Sequence, residues 1–121
     1  MPANQVSEPY APLTPPMFHV LLALAGDHLH GYAILKEVEL RTGGEVRLST
    51  GTLYGIIKRL LADGLIAELR VRPAAANDDE RRRYYRLTSV GRAVAAAEAE
   101  RMDKVLVIAR ARHLLKKPRT V

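Results

Sequence analysis

The spacing of apolar residues changes period twice along this chain, and that change limits the fold more than any other feature. From Thr14 to Asp63 apolar residues recur three and four apart, the spacing of a helix face. From Leu65 to Leu87 they alternate, the spacing of strands covered on one side. From Thr88 onward the helical spacing returns. Three short helices, a hairpin and one long helix must therefore share a core within 121 residues, the size of a single domain.

Capping residues mark the boundaries. Thr14 suits an N-cap and Pro15 the first helical position, so a first helix begins there, carries Leu21, Leu22 and Leu24, and breaks at Gly26-Asp27. A second helix is predicted over Gly31–Arg41, with Ile34, Leu35, Val38 and Tyr32 as its apolar stripe and Gly43-Gly44 as its stop. His28 and His30 lie in the loop before it, where His30 caps or buttresses the turn. A third helix spans 50–63, capped by Ser49 or Thr50 and stopped by Gly64. Its buried face holds Leu53, Ile56, Ile57, Leu60 and Leu61.

In the hairpin, Leu65, Ala67, Leu69 and Val71 alternate with Glu68, Arg70 and Arg72. Arg83, Tyr85 and Leu87 alternate with Tyr84 and Arg86, so one of the two adjacent tyrosines should be core and the other exposed. The link over 73–80, with Asp78, Asp79 and Glu80, reads as an exposed loop. The last helix starts after the cap Thr88 and continues to about residue 115, a length of about 40 Å.

This order defines an α+β, mainly α fold: a winged helix-turn-helix with a long C-terminal dimerisation helix. The expected organisation is a flexible N-terminal arm (1–13, with three prolines), a DNA-binding domain (14–88), the dimerisation helix (89–115) and a basic tail (116–121). In such a fold the third helix enters the major groove of DNA while the second crosses the backbone.

The outer face of the third helix fits that role. Gly51, Gly55 and Ala62 let the backbone approach DNA closely, and Thr50, Thr52, Tyr54, Lys58 and Arg59 surround them. Two glycines inside a helix cost roughly 1 kcal/mol each against alanine, which an ordinary solvated face does not require. The wing supplies Arg70, Arg72, Arg81, Arg82 and Arg83, with Arg86 beside them, for phosphate or minor-groove contact. The formal net charge is +6, and before Arg47 the only cations are Lys36 and Arg41, so the positive charge gathers in this part of the chain and beyond it. In the long helix, Val94, Ala97, Met102, Val105, Leu106 and Ala109 recur at helical spacing and are assigned to a homodimer interface.

Other classes fit poorly. The chain has no cysteine, which excludes disulfides, a thiol nucleophile and cysteine-ligated metals. No G-x-S-x-G, P-loop, H-E-x-x-H or dinucleotide motif is present, so no enzyme, cofactor or metal site is expected. The apolar run 17–25 is too short for a membrane span. Two further readings stay open at this point. One is a winged-helix module that binds protein, which calls for an acidic or apolar outer face on the third helix. The other is a non-specific chromosomal DNA-binding protein.

Four short motifs resemble the PadR family of transcriptional regulators. His30-Gly31-Tyr32-Ala33-Ile34 is similar to its second-helix signature, and Gly51-Thr52-Leu53-Tyr54 to the opening of its recognition helix. Asp63-Gly64-Leu65-Ile66 resembles its turn into the wing. Arg83-Tyr84-Tyr85-Arg86-Leu87-Thr88, followed by Gly91, resembles its second wing strand and last cap. The resemblance implies a cytoplasmic homodimer that binds an inverted repeat in double-stranded DNA, usually as a repressor. In some relatives a small-molecule effector releases the DNA. The single C-terminal helix is similar to the short form of the family.

Overall fold

The computed structural model describes residues 13–69 and 83–116. Among these residues are four helices, α1 (Pro15–Gly26), α2 (Gly31–Arg41), α3 (Thr50–Ala62) and α4 (Ser89–Ala111). Three short strands, β1 (Leu29–His30), β2 (Ile66–Glu68) and β3 (Tyr84–Leu87), form an antiparallel sheet with β3 in the middle. The fold is mainly helical α+β, as the change of period requires.

Each helix starts on a side chain that satisfies an otherwise unpartnered amide. Thr14 Oγ1 accepts from Met17 N at 3.3 Å, Ser49 Oγ from Thr52 N at 3.1 Å and Thr88 Oγ1 from Gly91 N at 2.9 Å. His30 caps α2: its Nδ1 accepts from Ala33 N at 3.1 Å. At the far end of α3, Gly64 takes a φ of 75°, a region open to glycine, and the chain turns into β2.

The core is almost wholly aliphatic. Val20 and Leu21 of α1, Ile34 and Val38 of α2, Leu53 and Leu60 of α3, and Leu65 all lie fully buried or nearly so. Leu13 joins them, so the expected flexible arm, which ran to residue 13, gives its last residue to the core. Residues 1–12 of that arm lie outside the described residues. Tyr32, expected on the apolar stripe of α2, is exposed; its ring carries the Lys36 ammonium at 5.7 Å instead.

The sheet corrects the expectation for the tyrosine pair. Tyr84 and Tyr85 point to opposite faces, yet both are buried, at 8% and 4% exposure. The reason is β1, a two-residue strand that the period analysis treats as loop. It pairs Leu29 with Tyr85 and His30 with Tyr84, making β3 a central strand. Tyr85 enters the core, while Tyr84 packs edge-on against the His30 ring, centroids 5.2 Å apart. Burial, joined by the nearby Glu68 carboxylate, pushes the Tyr85 phenol above its ordinary pKa.

The start of α4 is pressed onto the turn from α3 to β2. Thr88 donates through Oγ1 to the carbonyls of Gly64 (2.7 Å) and Leu65 (3.0 Å), and through its amide to Leu65 (3.1 Å). Gly91 lies directly against that Leu65 carbonyl. The helix packs on α1 and β3 with Gly91, Ala95 and Glu98 as its buried residues. Glu98 is held by Arg101 on its own helix, Nη2 to Oε2 at 2.5 Å and Nε to Oε1 at 3.2 Å. That hydrogen bond keeps the Glu98 carboxyl below the usual carboxylate range, with burial opposing it. Beyond Glu98 the helix leaves its own domain, and residues 101–108 are all exposed.

The helix stops at Ala111 rather than near residue 115. His113 adopts a φ of 64°, and the amides of His113 and Leu114 fold back onto Arg110 O and Ala109 O at 3.0 and 2.9 Å. The period of the apolar residues does not reveal this, because Leu114 and Leu115 continue it past the stop.

Candidate nucleic-acid interface

The buried stripe of α3, Leu53, Ile57 and Leu60, turns the opposite face outward. Gly51, Thr52, Tyr54, Gly55, Lys58 and Arg59 are all exposed there, with Thr50 at the first turn. A methyl group added at Gly51 or Gly55 meets nothing within 4 Å. Neither glycine therefore packs against another of the described residues, and neither has a positive φ to explain it.

The polar groups on this face are unequal. Lys58 has no carboxylate partner among the described residues. Arg59, one turn before the helix end, binds Asp63 from Nε to Oδ2 at 3.1 Å. A pair this exposed is worth at most about 1 kcal/mol, so the guanidinium can exchange it for a phosphate. At the N-terminus the Ser49 hydroxyl donates to Thr52 Oγ1 at 2.9 Å, clustering hydroxyls beside the first free amides of α3.

Tyr54 also packs within the chain, a contact that the helical spacing of α3 does not reveal. It is 47% exposed. Its phenol also lies over Gly31, where an added methyl would come within 2.7 Å of the ring carbon Cζ. The glycine of His30-Gly31-Tyr32 thus makes room for the tyrosine of Gly51-Thr52-Leu53-Tyr54, and this contact fixes how α3 lies on α2. The signal was in the sequence, in two small motifs 20 residues apart, but their spacing alone does not pair them.

The wing is described only at its base. Arg83 is exposed at the entry to β3, with Nε 3.7 Å from Glu68 Oε2. The register sets Ala67 opposite Arg86 and Glu68 opposite Tyr85. Arg70, Arg72, Arg81 and Arg82 lie outside the described residues.

Of the residues assigned to an interface on α4, Val94 is half-buried against its own core. Ala97 is exposed, as are Met102, Val105 and Leu106, while Ala109 is half-buried. Val107 and Ile108 add further exposed apolar surface, at 56% and 59%. Among the described residues no group of histidine and carboxylate side chains is placed to hold a metal, and no helix is long and apolar enough to cross a membrane.

A capped α2–α3 pair joined to a three-stranded sheet and followed by a long helix defines a winged-helix regulator. Residues 20–97 match the model of the transcriptional regulator PadR-like family, and the chain belongs to that family. It is 36% identical over 88 residues to the transcriptional regulator Rv3488 of Mycobacterium tuberculosis, covering 72% of this chain and 75% of that protein. It is 38% identical over 86 residues to an uncharacterized 37.1 kDa protein in transposon TN4556 of Streptomyces fradiae, covering 71% of this chain but only 22% of that protein. A crystal structure of a PadR family transcription regulator from Clostridium difficile superposes with a TM-score of 0.66 at 22% identity, over 81% of this chain and 97% of that one.

Proposed function

We propose that this chain binds duplex DNA as a homodimer, recognises an inverted repeat through α3, and acts as a repressor. The observation that carries the reading is the outer face of α3. Among the described residues it has two glycines with no packing role, a lysine without a carboxylate partner and a group of hydroxyls. A protein-binding module would present an acidic or apolar surface there. The glycines favour a ligand that needs the helix backbone itself to come close, as a major groove does. The wing arginines at 70, 72, 81, 82 and 83 add phosphate contacts in this reading. The exposed apolar turns of α4 supply the dimer, and with it two recognition helices on one side of the duplex.

The glycines give a test that separates DNA contact from a merely solvated face. Gly55→Ala should stabilise the free protein by up to roughly 1 kcal/mol, because alanine is the better helix former and the space is open. The same change should weaken specific DNA binding by about tenfold, because the methyl stands between α3 and the groove. Thermal unfolding and a binding titration measure the two effects. Unchanged affinity would remove this face from the interface.

Lys58→Ala and Arg83→Ala separate base contacts from phosphate contacts. Loss of a base contact should cost about 1–3 kcal/mol and relax sequence preference. Loss of a phosphate contact should weaken all sequences alike and lower the salt slope by about one. Titrations at several salt concentrations distinguish these outcomes, and no change in either quantity would exclude both residues.

A further inference from the structure

Resting on the DNA reading above, we propose that Gly31 is a positioning residue for sequence recognition: it touches no DNA itself, and it holds the Tyr54 ring off the part of α3 that enters the groove. Gly31 is the first residue of α2 and is buried. Its φ is not positive, so an alanine there brings no backbone strain. What an alanine meets is Tyr54. The three atoms nearest to the added methyl all belong to that side chain: Cζ at 2.7 Å, Cε1 at 3.1 Å, and the phenol oxygen closer still.

The surroundings decide which partner yields. The backbone of Gly31 is held on both sides. Before it, His30 pairs with Tyr84 across the sheet, and the two rings meet edge-on. After it, the Ala33 amide donates to His30 Nδ1 at 3.1 Å and closes the first turn of α2. Tyr54 is less constrained. It lies where α2, α3 and β3 meet, near enough to Tyr85 to add, after burial and Glu68, to the upward push on that phenol. Its ring is nevertheless 47% exposed, so a turn about χ1 carries it outward without opening the core. A long side chain on a helix leans over the preceding turn, and three residues before Tyr54 stands Gly51. The space beside Gly51 and Gly55 is open to 4 Å. A ring displaced from Gly31 fills that space, which is the space the groove requires. Gly31 thus keeps the tyrosine back, while Gly51 and Gly55 keep the helix face flat.

The test uses the full-length chain, a duplex that the parent selects from a random pool, and an unrelated duplex of the same length. Gly31→Ala should melt within roughly 4 °C of the parent, because a side chain and not the backbone gives way. Its affinity for the selected duplex should fall about tenfold. Its affinity for the unrelated duplex and its salt slope should stay the same, since no phosphate contact is lost. In a Tyr54→Ala background the same methyl has no ring to displace. The double variant should therefore bind the selected duplex within about twofold of Tyr54→Ala alone. A Gly31→Ala chain that unfolds, or that binds the selected duplex as the parent does, would overturn the proposal. Equal weakening on both duplexes, or a tenfold loss that persists without the Tyr54 ring, would overturn it too. A parent chain that prefers no duplex over another would instead remove the DNA reading itself.

Discussion

Gly91→Ala is expected to destabilise the protein by about 2–4 kcal/mol, and Gly91→Val to prevent folding at 37 °C. The added methyl would lie 2.8 Å from the Leu65 carbonyl carbon and closer still to its oxygen, and 3.0 Å from Leu87 Cδ1. The backbone atoms cannot rotate away as a side chain would, so α4 must shift. Overpacking of this kind typically costs about 1–3 kcal/mol. The shift also strains both Thr88 bonds to that carbonyl, and leaving a buried acceptor poorly satisfied adds about 1 kcal/mol or more. Against a total stability of about 5–15 kcal/mol, typical of such domains, this is a large loss. Urea titration of the parent and the alanine variant measures it. An alanine variant as stable as the parent would mean that α4 is not docked on the Leu65 turn. The contrast with Gly55→Ala is instructive: two glycines in two helices, one against backbone and one against open space, should respond with opposite sign.

The second large effect concerns the far half of α4. Met102→Asp combined with Leu106→Asp should give a folded monomer whose specific DNA binding is 10²–10⁴-fold weaker. Both residues are exposed in the single chain, so the charges disturb no packing within it. In the dimer they would bury carboxylates in an apolar seam, which is strongly unfavourable. Each buried leucine or methionine also contributes roughly 1.5–3 kcal/mol that the variant forgoes. A lone head offers few base contacts, and linking two heads raises the effective concentration of the second, a gain of the size quoted above. Sedimentation and DNA titration of the same preparation test both halves of this expectation. A double variant that remains dimeric, or a monomer that binds as tightly as the parent, would contradict it. Substitution is preferable to truncation at Thr88, because Gly91 and Ala95 belong to the buried structure of the head.

The positions of the helices were legible because their signals are local. Thr14, Ser49 and Thr88 are side chains that cap within three residues, and Gly64 is a stop that only needs its own φ. The α3 face was legible for the same reason, since 100° per residue sorts its glycines and Lys58 to one side. What escaped were pairings between distant segments. A two-residue strand has no period, so β1 could not be seen, and with it the burial of both Tyr84 and Tyr85. The Gly31–Tyr54 contact joins two motifs that look independent in the chain. The stop at Ala111 was hidden because a histidine in the left-handed region takes the place of the expected glycine. The division of α4 into a half that serves its own head and a half left exposed also needed the packing, since the apolar spacing is continuous across it.

The central claim is that α3 reads a particular DNA sequence, twice, as part of a symmetric pair. Selection of bound fragments from a random duplex pool by the full-length protein tests it most directly. The account predicts enrichment of one inverted repeat whose half-site centres lie about 10 bp apart or a multiple of that, because both recognition helices must meet the same side of the duplex. Bound fragments with no shared repeat, together with equal affinity for unrelated duplexes at the same salt concentration, would contradict it.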